Sequence, residues 1–203
     1  MEEKQILKNG ERIILGIDPG TVVMGYAVIS ATGQRYTLIS AGAIKFKGAD
    51  PHFDRLHHIF EAVSGIIRNH SPEEIAIEEP FFGKNVQSML KLGRAQGVAI
   101  AAALQHQLPV CGYSPRSVKQ SITGRGAASK EQVAQMLQQL FGFEELPVHL
   151  DATDALAVAL CHHFQTRKPV EIPTGERKVI ISKLKKSYKG WDSFISDNPE
   201  RVK

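Results

Sequence analysis

Cysteine is scarce. Cys111 and Cys161 are the only two in 203 residues, far apart and without a Cys-x-x-Cys spacing. A disulfide framework therefore has nothing to build on, and two buried thiols in a reducing cytoplasm are the expectation. Long apolar runs are missing too. Each is broken by Gly, Gln, His or charge, which excludes a membrane span. The opening MEEKQILKNGER holds acids and no apolar core, unlike a signal peptide. Bulk positive charge is also lacking where a fold would be. Residues 1–165 carry 15 Lys/Arg and 16 Asp/Glu, and the whole surplus sits in residues 166–203, with 10 against 5. Any nucleic-acid surface on the folded part must come from the placement of charge rather than its amount.

Ordinary core material is present. Hydrophobic residues make up 42% of the chain, enough at this length for one domain with an appendage. The stretch Ile13 to Thr21 organises it. A buried apolar strand ends in Asp18, and Pro19-Gly20 turns the chain at once. Strands at Gly25–Ser30 and Tyr36–Phe46 extend this into an antiparallel meander, with Gly42 marking a bulge or a close approach. Phe53, Leu56, Ile59, Phe60, Val63, Ile66 and Ile67 repeat at helical spacing up to Ser71-Pro72. Glu74–Glu78 reads as a buried strand, which makes the helix before it a crossover and the sheet mixed.

A loop with Phe81, Phe82, Gly83 and Lys84 precedes a long helix from Val86 to about His106. That helix carries Leu90, Leu92, Ile100 and Leu104, and a small-residue stripe of Gly93, Gly97 and Ala101. The stripe suits either packing on the sheet or a subunit interface. Pro109–Tyr113 is a short strand, and Ser114-Pro115 opens a helix through Ile122. The Gly-rich Thr123–Ala128 follows, and Ser129-Lys-Glu-Gln132 matches a capping box. The last core helix runs from about Ala152 to His163. Beyond it, a docked element and a disordered tail are both open readings for the basic stretch.

Four acids are placed to converge. Asp18 and Glu78 each end a strand; if those strands are parallel neighbours, both lie at the sheet edge where open α/β sheets bind ligands. Asp151 and Asp154, three apart, share a helix face. Gathered acids repel unless divalent cations intervene, and Mg²⁺ takes hard oxygen ligands. Two such ions suit phosphodiester hydrolysis. Simpler readings compete: Asp18 as a turn former, and Asp151 or Asp154 as a helix cap. Glu79 is a decoy that should point to the opposite side from Glu78. His149 lies near the acids as a possible ligand or proton shuttle, with surface packing the plainer alternative. The pairs His57-His58 and His162-His163 have no evident partner and are set aside.

The pieces LGIDPGT (15–21), GY (25–26), AIEEPFFGKN (76–85), LKLGRAQGVAI (90–100), PVCGYSPRSVKQSITGRGAASKEQV (109–133) and DATDALAVAL (151–160), in this order, resemble the bacterial Holliday-junction resolvase family, RuvC. The likeness spans about residues 13–164. It implies an α/β, ribonuclease-H-like (retroviral integrase-like) fold: a mixed five-stranded sheet flanked by helices. It sets off residues 1–12 as a polar leader and 165–203 as a basic tail. It implies a cytoplasmic homodimer that nicks opposed strands of a four-way junction with two Mg²⁺ per site, Mn²⁺ being a substitute. Branch-migration proteins RuvA and RuvB are the implied partners, though no motif for them is visible.

By the same resemblance Asp18, Glu78, Asp151 and Asp154 are catalytic and metal-holding. Phe81 approaches the junction's unpaired bases, and Lys119 and Lys130 approach the cleaved backbone. Lys84, Arg94 and Arg125 join them as candidate DNA contacts on charge and position, and an exposed Phe81 can stack on a displaced base. Glu79-Pro80 departs from the milder residues expected there.

Three other readings compete, one of them a different nuclease of the same fold that cuts RNA–DNA hybrids or linear duplex. The actin-like ATPase and sugar-kinase group also opens with a strand and an Asp-x-Gly-Thr turn, but it needs a second, similar domain, and no repeat is present. A non-catalytic module of the same fold would be favoured by loss of a site acid, and all four are there.

Overall fold

The structure, a computed structural model, describes residues 10–46, 51–80, 85–144 and 150–167. Three strands open it: β1 (Arg12–Asp18), β2 (Val23–Thr32) and β3 (Arg35–Lys45). They form an antiparallel meander, with Gly33 at φ +59° in the β2–β3 turn. Helix α1 (His52–His70) ends on Ser71 in the left-handed region, and Pro72 prevents its continuation. The chain then enters β4 (Glu74–Glu78), parallel to β1 and beside it. Helix α2 (Val86–Gln105) leads to β5 (Val110–Tyr113), parallel to β4. Helices α3 (Pro115–Thr123), α4 (Lys130–Phe141) and α5 (Leu150–Thr166) complete the described chain. The strand order is β3-β2-β1-β4-β5. This is the mixed, ribonuclease-H-like sheet that the motif resemblance implies.

Side chains alternate across a strand, so the pairing register assigns each residue to a face. Ile13, Leu15 and Ile17 go to one side with Met24, Val28, Ile75 and Ile77. There they pack with Ile59 and Val63 of α1 and Ala95, Ala99, Ala102 and Ala103 of α2. Ile14, Gly16 and Asp18 go to the other with Gly25, Ala27, Ala76 and Glu78, and α3, α4 and α5 cover that side. Leu156 and Leu160 of α5 and Leu137 of α4 supply its bulk.

Several sequence expectations shift. Gly42 is a close approach: a side chain there would run into the ring of Tyr26, its cross-strand partner. The register irregularity falls instead between Val28 and Ile29, opposite Leu38 and Ser40. Phe53, counted with the inward face of α1, is 76% exposed. Leu90 and Leu104 of α2 are exposed as well, and so are Gly93, Gly97 and Ala101. The alanines of α2, not the glycine stripe, meet the sheet. The capping box is formed as expected, with Ser129 and Gln132 each satisfying the other's backbone N–H. Helix α5 begins at Leu150, so Asp151 lies within its first turn. Cys161 is buried, and Cys111 is only half-buried.

Candidate metal and nucleic-acid site

Register builds the site. The β1–β4 pairing runs Ile14↔Glu74 through Ile17↔Ile77, and one step further stand Asp18 and Glu78. Both carboxylates thus leave the ends of adjacent parallel strands on one face. On β1's other side Asp18 pairs with Gly25. A Cβ at Gly25 would collide with the main-chain carbonyl of Asp151, and one at Gly16 with the carbonyl of Ala155 and the methyl of Ala159. The two glycines therefore let α5 lie directly on β1 and β2. That contact carries the first turn of α5, with Asp151 and Asp154, to the end of β1.

Electrostatics report the convergence. Burial pushes the Asp18 carboxyl up to about 7, helped by the charges of Glu78, Asp154 and, least, Asp151, while Lys130 opposes. Burial likewise raises Glu78 to about 7; Asp154 adds to the rise, and Lys130 and Lys119 work against it. The Lys130 ammonium donates to Asp154 Oδ2 at 2.5 Å, and that bond, outweighing desolvation, raises its own pKa. Asp18, Glu78 and Asp154 therefore share one charge field with Lys130 at its rim. Asp151 acts on Asp18 as the weakest of the three acids.

Among the described residues no three acidic, histidine or cysteine side chains form a ready-made metal cage. The donor chemistry nonetheless fits a hard divalent cation. Every donor is a carboxylate oxygen, and two of the carboxyls are held against their preference for ionisation by burial and mutual repulsion, a cost that a cation relieves.

Glu79 behaves as a decoy. Its carboxylate lies where a Cβ of Gly112 would project, and Gly112 pairs with Ile77 on the face away from Glu78. Lys119 is half-buried on α3, and Arg125 is exposed in the α3–α4 connection. Arg94 is exposed on α2, the helix that packs on the other face of the sheet. Phe81, Lys84, His149 and the tail beyond Arg167 lie outside the described residues.

The motifs also left residues unread. Gln96 of α2 donates from Nε2 to the Glu78 carbonyl at 3.3 Å, tying the end of β4 to the helix. His162, set aside as partnerless, is nearly inaccessible, and both its ring nitrogens are engaged. Nδ1 is 2.7 Å from the Tyr113 hydroxyl and Nε2 is 2.7 Å from Glu74 Oε2. One sequence signal pointed there: His162 follows Asp151 by three helical turns, on the same side of α5.

Comparison with known proteins identifies this architecture. The family model for the crossover junction endodeoxyribonuclease RuvC matches residues 14–162. The chain belongs to the RuvC family. A RuvC from Bacteroides fragilis is 52% identical over 195 residues, 95% of this chain and 97% of that protein. One from Cytophaga hutchinsonii is 51% identical over 203 residues, all of this chain and 94% of its relative. The structure of Thermus thermophilus RuvC in complex with a Holliday junction substrate superposes with a TM-score of 0.73 at 34% identity, covering 77% of this chain and 95% of that one. The activity is accordingly that of RuvC, structure-selective endonucleolytic resolution of Holliday junctions. RuvC enzymes work with Mg²⁺ or Mn²⁺.

Proposed function

We propose that Asp18, Glu78, Asp151 and Asp154 are the catalytic acids of this RuvC protein and together hold two Mg²⁺ ions, with Mn²⁺ able to replace them. The supporting observation is the adjacency of Asp18 and Glu78 at the ends of paired parallel strands, with Asp154 in the same field. Two ions at such a site supply an activated water and stabilise the leaving oxygen of an in-line displacement. The residues do the rest. Half-burial of Asp18 and Glu78 lowers the local dielectric and would strengthen their hold on cations. Lys130 orients Asp154, and Lys119, on the Glu78 side, offers its charge to a phosphate that the acids alone would repel. A 5′ phosphate and a 3′ hydroxyl result, ends that ligase can reseal.

The substrate in this reading is four-way junction DNA, bound by a homodimer. Val86, Leu90, Gly93, Gly97, Ala101 and Leu104 form one exposed stripe along α2 at three- and four-residue spacing. Such a stripe suits a two-fold helix contact, which would give two cleavage sites to a junction of near two-fold symmetry. Phe81 is assigned to stacking on an unpaired base. Lys84, Arg94 and Arg125 are assigned to the backbone, and residues 166–203 to salt-sensitive affinity, which deleting them would remove. Partnership with RuvA and RuvB rests on family membership alone. The cytoplasm is the assigned compartment; among the described residues no helix is long and apolar enough to cross a membrane. The deciding experiment compares cleavage of a four-way junction, a linear duplex and an RNA–DNA hybrid, with and without Mg²⁺, by the wild type and Asp18→Asn. Junction cleavage that survives in the variant, or in a chelator, ends this assignment.

A further inference from the structure

A polar chain runs under α5 at the end away from the acids. Arg12 Nη1 on β1 donates to Glu74 Oε1 on β4 at 2.8 Å and to Thr166 Oγ1 on α5 at 3.1 Å. Glu74 Oε2 meets His162 Nε2 at 2.7 Å, and His162 Nδ1 meets the Tyr113 hydroxyl on β5 at 2.7 Å. The proton order follows from the partners. A carboxylate only accepts, so His162 Nε2 carries the hydrogen toward Glu74, and in the neutral ring Nδ1 accepts from the Tyr113 hydroxyl. Burial above all pushes Tyr113 up to about 12, so its hydroxyl stays a donor. Arg12 and Glu74 balance in charge. One helix is thereby pinned to three strands through partners of fixed geometry.

Stability alone is a weak reason for such a chain, since buried charged groups are often replaceable by apolar ones of similar volume. The contact above it supplies a better one. Where α5 crosses Gly16 and Gly25 its closest groups are the methyl of Ala159 and main-chain atoms of Asp151 and Ala155, and beside them Leu156 and Leu160 pack with Ile14 and Ile29. Apolar contacts carry no direction of their own and yield to a small shift along the helix, whereas directional hydrogen bonds do not tolerate it. His162 and Asp151 share a side of one continuous helix three turns apart, so a slip at His162 is delivered in full to the first turn.

We propose that Tyr113, His162, Glu74 and Arg12 are positioning residues that set the register of α5 and so the placement of Asp151 and Asp154 against Asp18 and Glu78. The inference rests on those four acids being the site.

The test uses the full-length protein and the variants Tyr113→Phe, His162→Ala, His162→Gln and Asp18→Asn. Each is measured for thermal midpoint, junction affinity without cleavage, and single-turnover cleavage rate as a function of Mg²⁺. A misplacement of about 1 Å far from the chemistry can cost up to about a hundredfold in rate. Expected for Tyr113→Phe is a loss of about tenfold in cleavage rate, an unchanged junction affinity and a Mg²⁺ midpoint moved several-fold upward. His162→Ala loses more. His162→Gln, whose amide can still donate to Glu74 and accept from Tyr113, recovers part of that loss. A structural role alone would lower the thermal midpoint and leave the rate per folded molecule and the Mg²⁺ midpoint in place, and that result in Tyr113→Phe overturns the proposal. If His162→Ala does not fold, Tyr113→Phe decides alone, because it removes one oxygen. Asp18→Asn separates the two claims. Cleavage retained there rejects the site itself, while cleavage lost there with Tyr113→Phe unaffected rejects only the positioning role.

Discussion

The two faces of the sheet are built on opposite terms. One carries Leu15, Ile17, Met24, Val28, Ile75 and Ile77 against α1 and α2, large side chains filling a thick apolar layer. The other has its own apolar layer, Ile14 and Ile29 under Leu137, Leu156 and Leu160, but thins to Gly16, Gly25, Ala27 and Ala76 toward Asp18 and Glu78 at its edge. The first gains its stability from volume removed from water, roughly 1.5–3 kcal/mol for each large aliphatic side chain. The second gives up volume at those four small positions so that a helix backbone can reach the strands and bring acids to acids. Both faces of the sheet thus hold the protein together, and only one of them also carries the reactive edge. The sharpest way to break this division is Asp18→Asn. Cleavage should fall by about three orders of magnitude or more with junction binding kept. A loss of under tenfold in purified variant protein would mean that the edge of this face is not where the chemistry happens.

Steric substitutions test the division next. Gly25→Ala adds one methyl where the main-chain carbonyl of Asp151 stands, with no flexible side chain to yield. The first turn of α5 must lift. The expected cost is about 1–3 kcal/mol of stability from overpacking, together with up to about a hundredfold in cleavage rate. Ile59→Val on α1, buried against the other face, should cost about 0.5–1.5 kcal/mol and leave the cleavage rate of the folded protein unchanged. Denaturant unfolding and single-turnover cleavage on the same preparations give both numbers. Rates that fall equally in the two variants would erase the distinction between the faces.

Much of this could be read from the chain. The strand ends at Asp18 and Glu78 followed from apolar runs stopped by a carboxylate, and β4 covers the five residues that read as a buried strand. The Ser129 cap was equally explicit, because a capping box is a local bond pattern written in adjacent residues. What stayed hidden depends on distant partners. Gly16 and Gly25 looked like ordinary strand glycines until α5 was laid over them. Phe53, Leu90 and Leu104 carry helical periodicity but face outward, since periodicity shows that a stripe exists and not what covers it. His162 seemed partnerless because Tyr113 and Glu74 come to it from 49 and 88 residues away.

The smallest expected effect is a pH dependence of stability, and it bears on what the reactive face costs. Asp18 and Glu78 rise from ordinary values of 3.8 and 4.5 to about 7, burial being the largest cause for both. The folded protein therefore binds more protons than the unfolded chain between about pH 4 and about pH 7. Stability should decline as pH rises through that window, with the full penalty present above about 7. His163, whose pKa burial pushes down with Arg12 and Arg167 assisting, acts in the opposite direction, so the bare pH curve is ambiguous. Subtracting the curve of Asp18→Asn cancels the histidine and leaves the contribution of Asp18 together with its coupling to Glu78. In a chelator at about pH 8 that variant should melt higher than the wild type by roughly 2–6 °C, about 1–2 kcal/mol, and the gap should close toward about pH 4. Mg²⁺ in millimolar amounts should narrow the gap from the other side, because cations stabilise the ionised wild-type acids and have less to hold in the variant. Parallel melting curves across the whole range would show that Asp18 ionises as freely in the fold as in water, and that the acid edge is less crowded than its charges require.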